Sequence, residues 1–124
     1  MEYERITEFT RDGKNFIYID FSGMKKNDVF VTMAELAKQI IGKYHKQSVY
    51  TITNIANIVF DTESKKLVAS YMKHNAPYVK CGAIIGSDGA KKTMLNAIFK
   101  LSGRKPLKFF YTKDKAIEWL LQQE

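Results

Sequence analysis

The residues with chemical potential fall in two short stretches, Asp61-Thr62-Glu63-Ser64 and Gly86-Ser87-Asp88-Gly89. In the first, hydroxyls and carboxylates alternate just before an apolar helical stripe. That pattern serves a helix start, with a side-chain oxygen on the free amides and acid against the helix dipole. In the second, two glycines bracket a hydroxyl and a carboxylate between an apolar strand and a helix. Free amides there could hold a phosphate or carboxylate, aided by Lys91 and Lys92. The spacing is not that of a Walker loop, which ends in Lys-Ser or Lys-Thr. Nor does it suit a KH loop, which joins two helices. The simpler reading is a tight turn with Ser87 or Asp88 as cap.

Other reactive types are sparse. His45 and His74 each lie near a helix end, without the cysteines or carboxylates a metal site needs. Cys81 sits inside the apolar run Val79–Ile85, where a thiol is a core filler and poorly nucleophilic. Asp12, Asp20, Asp28, Asp61, Asp88 and Asp114 mostly fall in turns and helix starts. Asp20, within an apolar strand, is expected to bond local amides or face an edge. No acid/base pair emerges. No cofactor loop is expected, and enzyme is the lowest-ranked class.

The chain that positions these residues has 124 of them, 45% hydrophobic and 27% charged. One domain over residues 1–124 is expected. A lone cysteine excludes a disulfide scaffold. No apolar run reaches the roughly 20 residues that span a bilayer. The mixed-charge start gives no secretory pattern, so a cytoplasmic location is expected. The net charge of +7 comes from 20 Lys+Arg against 13 Asp+Glu. Only Arg5, Arg11 and Arg104 are arginines, and a sequence reader of nucleic acid uses arginine forks. A solvated lysine surface is therefore preferred, nucleic acid is disfavoured, and an acidic protein or anionic surface comes next.

Patterning gives the elements. Glu2–Thr10 alternates weakly, and Asp12-Gly13 is a hairpin pair leading into the strand Asn15–Phe21. A helix opens at Asn27 or Asp28, with a stripe from Val29 to Tyr44. Ser48–Thr53 is a strand, after which Ile58, Val59 and Phe60 are expected to fold back on the core. A helix runs from about Asp61–Ser64 to His74–Pro77. Tyr78–Ile85 reads as a strand covered on both faces. The next helix carries Met94, Leu95, Ala97, Ile98 and Leu101, with Gly103 as its cap. Leu107–Tyr111 is the last strand, and Thr112 or Asp114 caps the last helix. The order β-β-α-β-α-β-α-β-α predicts an α/β domain with an N-terminal antiparallel hairpin and an otherwise parallel sheet.

That order resembles the STAS, or SpoIIAA-like, domain of anti-sigma-factor antagonists, over about Tyr3 to Leu121. Within it the chain is most similar to a small stand-alone bacterial branch, mostly uncharacterised. The strings that carry this are Tyr18-Ile19-Asp20-Phe21-Ser22-Gly23, His74 to Lys80, Leu95-Asn96-Ala97, Ser102-Gly103-Arg104 and Ala116 to Leu120. The resemblance implies a mixed, mostly parallel sheet and a non-enzymatic role in protein interaction. Its partner would be a kinase-like or anti-sigma-like regulator. In the antagonists a serine in an Asp-Ser-Ser-Gly-like turn is phosphorylated by a partner kinase. By order Thr62 takes that place, with Ser64 as the second candidate. Here threonine replaces serine, glutamate follows, and the glycine is absent. The expected docking edge combines Asp61, Lys65 and Lys66 with Ser87, Asp88, Gly89, Lys91 and Lys92. The aromatic surplus leaves open a carrier of an apolar ligand, its head group near Lys91, Lys92 or Arg104, or a homodimer surface.

Overall fold

The computed structural model describes residues 5–25, 27–59, 62–102 and 107–123. In chain order the elements are β1 (Ile6–Arg11), β2 (Lys14–Asp20), α1 (Asn27–Ile41), β3 (Val49–Asn54) and α2 (Thr62–Asn75). They continue with β4 (Val79–Ile85), α3 (Gly89–Ser102), β5 (Lys108–Phe110) and α4 (Lys113–Leu121). The five strands form one sheet in the order β1-β2-β3-β4-β5. β1 and β2 are antiparallel, and every later neighbour pair is parallel. Both the element order and the mixed sheet match the sequence reading.

Local chemistry explains each joint. Asp12 and Gly13 both take positive φ, 52° and 77°. A two-residue hairpin turn of that kind follows the twist of its strands and favours Asp-Gly. Thr112 caps α4, its Oγ1 accepting from Lys115 N at 3.2 Å. Asp114, the other cap candidate, instead lies inside the first turn and favours the dipole.

The sheet is covered unequally. Phe30, Met33, Ala37 and Ile41 of α1, Val68 and Met72 of α2, and Leu95 and Ile98 of α3 pack against Ile17, Ile19, Val49 and Ile84. On the opposite face Phe16, Tyr50, Ile52, Ala83 and Ile85 receive Ala116, Ile117 and Leu120 of α4. α4 packs against β3, β4 and β5. The outer half of that face, over β1 and β2, holds Phe9 and Tyr18 only partly buried.

Three expectations change. Lys80 is an extra residue in β4, because the register steps from Val49↔Val79 to Tyr50↔Cys81. This bulge turns Val79 towards the three-helix core and Cys81 towards α4. Cys81 is consequently half-buried and not deep in a core. Val59 does not fold inward and is 51% exposed, whereas Ile58 is buried. Its amide donates to Met24 O at 3.0 Å, which anchors the backbone and leaves the side chain outside. Ala97 is exposed on α3 and leaves the predicted stripe. Phe60 and Gly103 lie outside the described residues.

A side-chain hydrogen bond ties the open edge strand β1 to the chain just beyond α1. Tyr44 Oη, just after α1, donates to Glu8 Oε1 at 2.7 Å. Burial, then this bond, raises the Tyr44 pKa from the ordinary 10.0 to about 12. The phenol is favoured in the folded chain, so its stabilisation is complete below pH 10.0 and fades as pH rises towards about 12. Burial also raises Tyr50, so tyrosinate absorbance should show more than one late-titrating tyrosine, Tyr44 among them. Glu8→Gln should bring Tyr44 part of the way back and leave the burial effect; no movement would contradict the assignment.

Candidate functional site

The C-terminal ends of β2, β3 and β4 carry three loops, residues 21–25, 55–59 and 86–88. In an open parallel sheet this edge is where ligands and partners are met. The loops brace one another through the backbone. Phe21 N donates to Asn54 O at 2.9 Å, Gly23 N to Ala56 O at 2.8 Å, and Ile55 N to Ile85 O at 3.0 Å. Asn54 adds two side-chain bonds. Its Oδ1 accepts from Ala56 N at 3.0 Å, and its Nδ2 donates to Tyr18 Oη at 3.1 Å. Asp20 does bond local amides: its Oδ1 accepts from Ser22 N at 2.8 Å. Arg5 donates to the Asp20 and Ser22 carbonyls at 3.2 and 2.8 Å, closing the base of the edge.

Gly86 fits this edge for two reasons. Its φ is +82°, and a Cβ there would stand 2.6 Å from Ala56 N and 2.8 Å from Asn54 Oδ1. The β4 loop thus lies directly on the β3 loop. Sequence patterning marked Gly86 as a turn residue; its packing partner, 30 positions away, leaves no local signal.

Two helix starts rise from this rim. Thr62 is the first residue of α2, and Glu63 is exposed in its first turn. Lys65 and Lys66 follow, both exposed. Nothing is described of the Thr62 and Ser64 side chains, and Asp61 and Arg104 lie outside the described residues. α3 packs beside α2. Its start is capped by Asp88, whose Oδ1 accepts from Lys91 N at 2.9 Å. Lys91 Nζ lies 3.6 Å from Asp88 Oδ2. Lys92 Nζ lies over the Phe109 ring, 5.1 Å from its centroid. Asp88 is thus itself the anion at the α3 start, with Lys91 compensating it. Ser87 is half-buried, and Gly89 opens on to space.

The remaining candidates do not converge. His74 Nδ1 is 3.1 Å from Asn75 Oδ1, and His45 is exposed. Among the described residues no group of three or more His, Cys, Asp or Glu could hold a metal. None of the described helices is long and apolar enough to cross a membrane. A cavity of about 50 Å³ lies between the sheet and the helices, lined by Ile19, Thr51, Met72, Asn75, Ile84 and Leu95 among others. Pockets for drug-sized ligands run to roughly 300–1,000 Å³, so an acyl chain does not fit without rearrangement.

Comparison with solved structures gives a match over nearly the whole chain. It is an uncharacterised protein of the DUF3478 family with a SpoIIAA-like fold, from Shewanella loihica PV-4. The TM-score is 0.69 at 14% identity, covering 93% of this chain and 91% of that one. The fold is SpoIIAA-like. No family model and no curated protein matches the sequence. In this SpoIIAA-like fold the braced rim, with α2 and α3 rising from it, is the candidate site.

Proposed function

We propose that the chain is a non-enzymatic protein-interaction module. Its docking edge is formed by the starts of α2 and α3, with phosphorylation at Thr62, or secondarily Ser64, as the control. The observation that carries this reading is the place of Thr62: first residue of α2, after β3, on the rim of a SpoIIAA-like fold. By the resemblance this is where the antagonists carry their phosphorylated serine.

The local electrostatics suit a switch. A phosphate in the first turn gains from the helix dipole and loses through Glu63 beside it. Lys65 and Lys66, three and four positions on, are spaced to answer it along the helix. Lys91 and Asp88 offer a partner one further charge of each sign. The partner is a kinase-like or anti-sigma-like regulator. The carrier reading ranks second, because a cavity of about 50 Å³ is too small for its cargo.

Affinity capture from the protein's own host tests the edge. A partner held by wild type should be lost by Lys65→Glu combined with Lys66→Glu, and kept by a reversal at the exposed Lys115 of α4, Lys115→Glu. Thr62→Ala should leave the partner bound alike in phosphorylating and non-phosphorylating conditions, whereas wild type should change between them. A capture profile indifferent to the edge reversal contradicts the proposal.

A further inference from the structure

The face of the sheet opposite α1–α3 carries its own charge pattern. Between α4 and the β1–β2 hairpin lies a trough floored by partly buried Phe9 and Tyr18. Phe9 stacks on the fully buried Phe16, with centroids 5.0 Å apart and planes at 4°. Lys113, from the start of α4, reaches across the trough, its Nζ 4.2 Å from the Tyr18 centroid and 5.6 Å from that of Phe9. The Arg11 guanidinium lies 5.7 Å over Phe9. Lys14 Nζ stands 5.2 Å over Tyr50 and donates to the Leu121 carbonyl at 2.7 Å and to that of Gln123. Among the described residues none of these three cations forms an ion pair; those that do are Lys38, Lys91 and Lys115.

We propose that this trough docks an extended acidic segment of another protein. The occupant follows from charge and from which surfaces are free. A second copy of the chain, itself at +7, would meet like charge. Single-stranded nucleic acid needs open ring faces for its bases. Here the rings already lie beneath lysine and arginine heads. Each head is held by its ring, so less side-chain freedom is lost when a carboxylate arrives. β1 is the edge strand and runs along the trough, so an extended segment beside it presents every second side chain to the cations. This surface is separate from the rim of α2 and α3, and neither stands on the other.

The test is fluorescence anisotropy with a labelled peptide alternating glutamate and serine, as long as β1. A control peptide has the same composition with its glutamates blocked together. The alternating peptide should bind more tightly than the blocked one. Lys113→Glu and Arg11→Glu should each weaken it by about tenfold or more, and Lys73→Glu on α2 by less than about twofold. Lys113→Met keeps apolar cover on Tyr18 and should also weaken binding, which separates loss of charge from loss of fold. The proposal is overturned by no measurable binding, by equal weakening at Lys73 and Lys113, or by tighter binding of an oligothymidylate of equal charge.

Discussion

Gly86→Ala should destabilise the protein by about 2–5 kcal/mol. Two costs combine. A non-glycine residue in the left-handed region costs roughly 1–2 kcal/mol. Overpacking costs roughly 1–3 kcal/mol, and here the new methyl would press on Ala56 N and Cα, 2.6 and 2.9 Å away. Backbone cannot rotate aside as a lysine tip can. Relief requires the 55–59 loop to move, which breaks the Asn54 to Ala56 hydrogen bond of 3.0 Å. Gly13→Ala is the matched control: its φ is +77°, but nothing lies within 4 Å of the added Cβ. It should lose only the conformational part, about 1–2 kcal/mol. Urea unfolding reads both. Equal losses at the two glycines would show that the β3 and β4 loops do not rest on each other.

Phe16→Ala should cost about 3–5 kcal/mol, the range for a buried aromatic truncated to a methyl. Phe16 has no exposed surface. It joins Phe9 of β1 to Tyr50 of β3, with centroids at 5.0 and 5.6 Å. The core on this face is the smaller of the two, and among the described residues α4 is the one helix that covers it, so a void there has few neighbours to close it. Against a total stability of roughly 5–15 kcal/mol the loss is large. Tyr111→Ala removes a ring that is 98% exposed and should fall within about 0.5 kcal/mol of wild type. A Phe16 variant as stable as the Tyr111 variant would contradict the packing described.

Why was the fold legible? Each helix shows one apolar stripe, and the strands alternate with the helices. Asp12-Gly13 fixes the hairpin, and same-handed crossovers then leave few sheet orders. The features that sequence missed depend on phase or distance. β4 is apolar towards both faces, so its run lacks the alternation that would reveal the bulge at Lys80. Val59 looks like core by type, yet its position is set by a backbone bond to Met24. The placing of the candidate rim was legible in outline. The starts of α2 and α3 fall within a residue or two of the expected positions, because acid and hydroxyl residues cluster where free amides need them. Asp88 was one of the two caps the sequence offered for α3, and the structure selects it; hidden from sequence was the contact of Gly86 with Ala56. The trough was hidden as well, since lysines 14 and 113 meet rings of β1, β2 and β3 only after folding.

The central claim is that the α2 start is a phosphorylated docking edge. Its most direct test is the intact mass of the protein isolated from its own host, measured under denaturing conditions with the modified residue then mapped. The account predicts a population heavier by one phosphoryl group, carried on Thr62 or Ser64 and absent from the combined Thr62→Ala and Ser64→Ala variant. A bare polypeptide mass across growth conditions, or a phosphate mapped to any other residue, would contradict it.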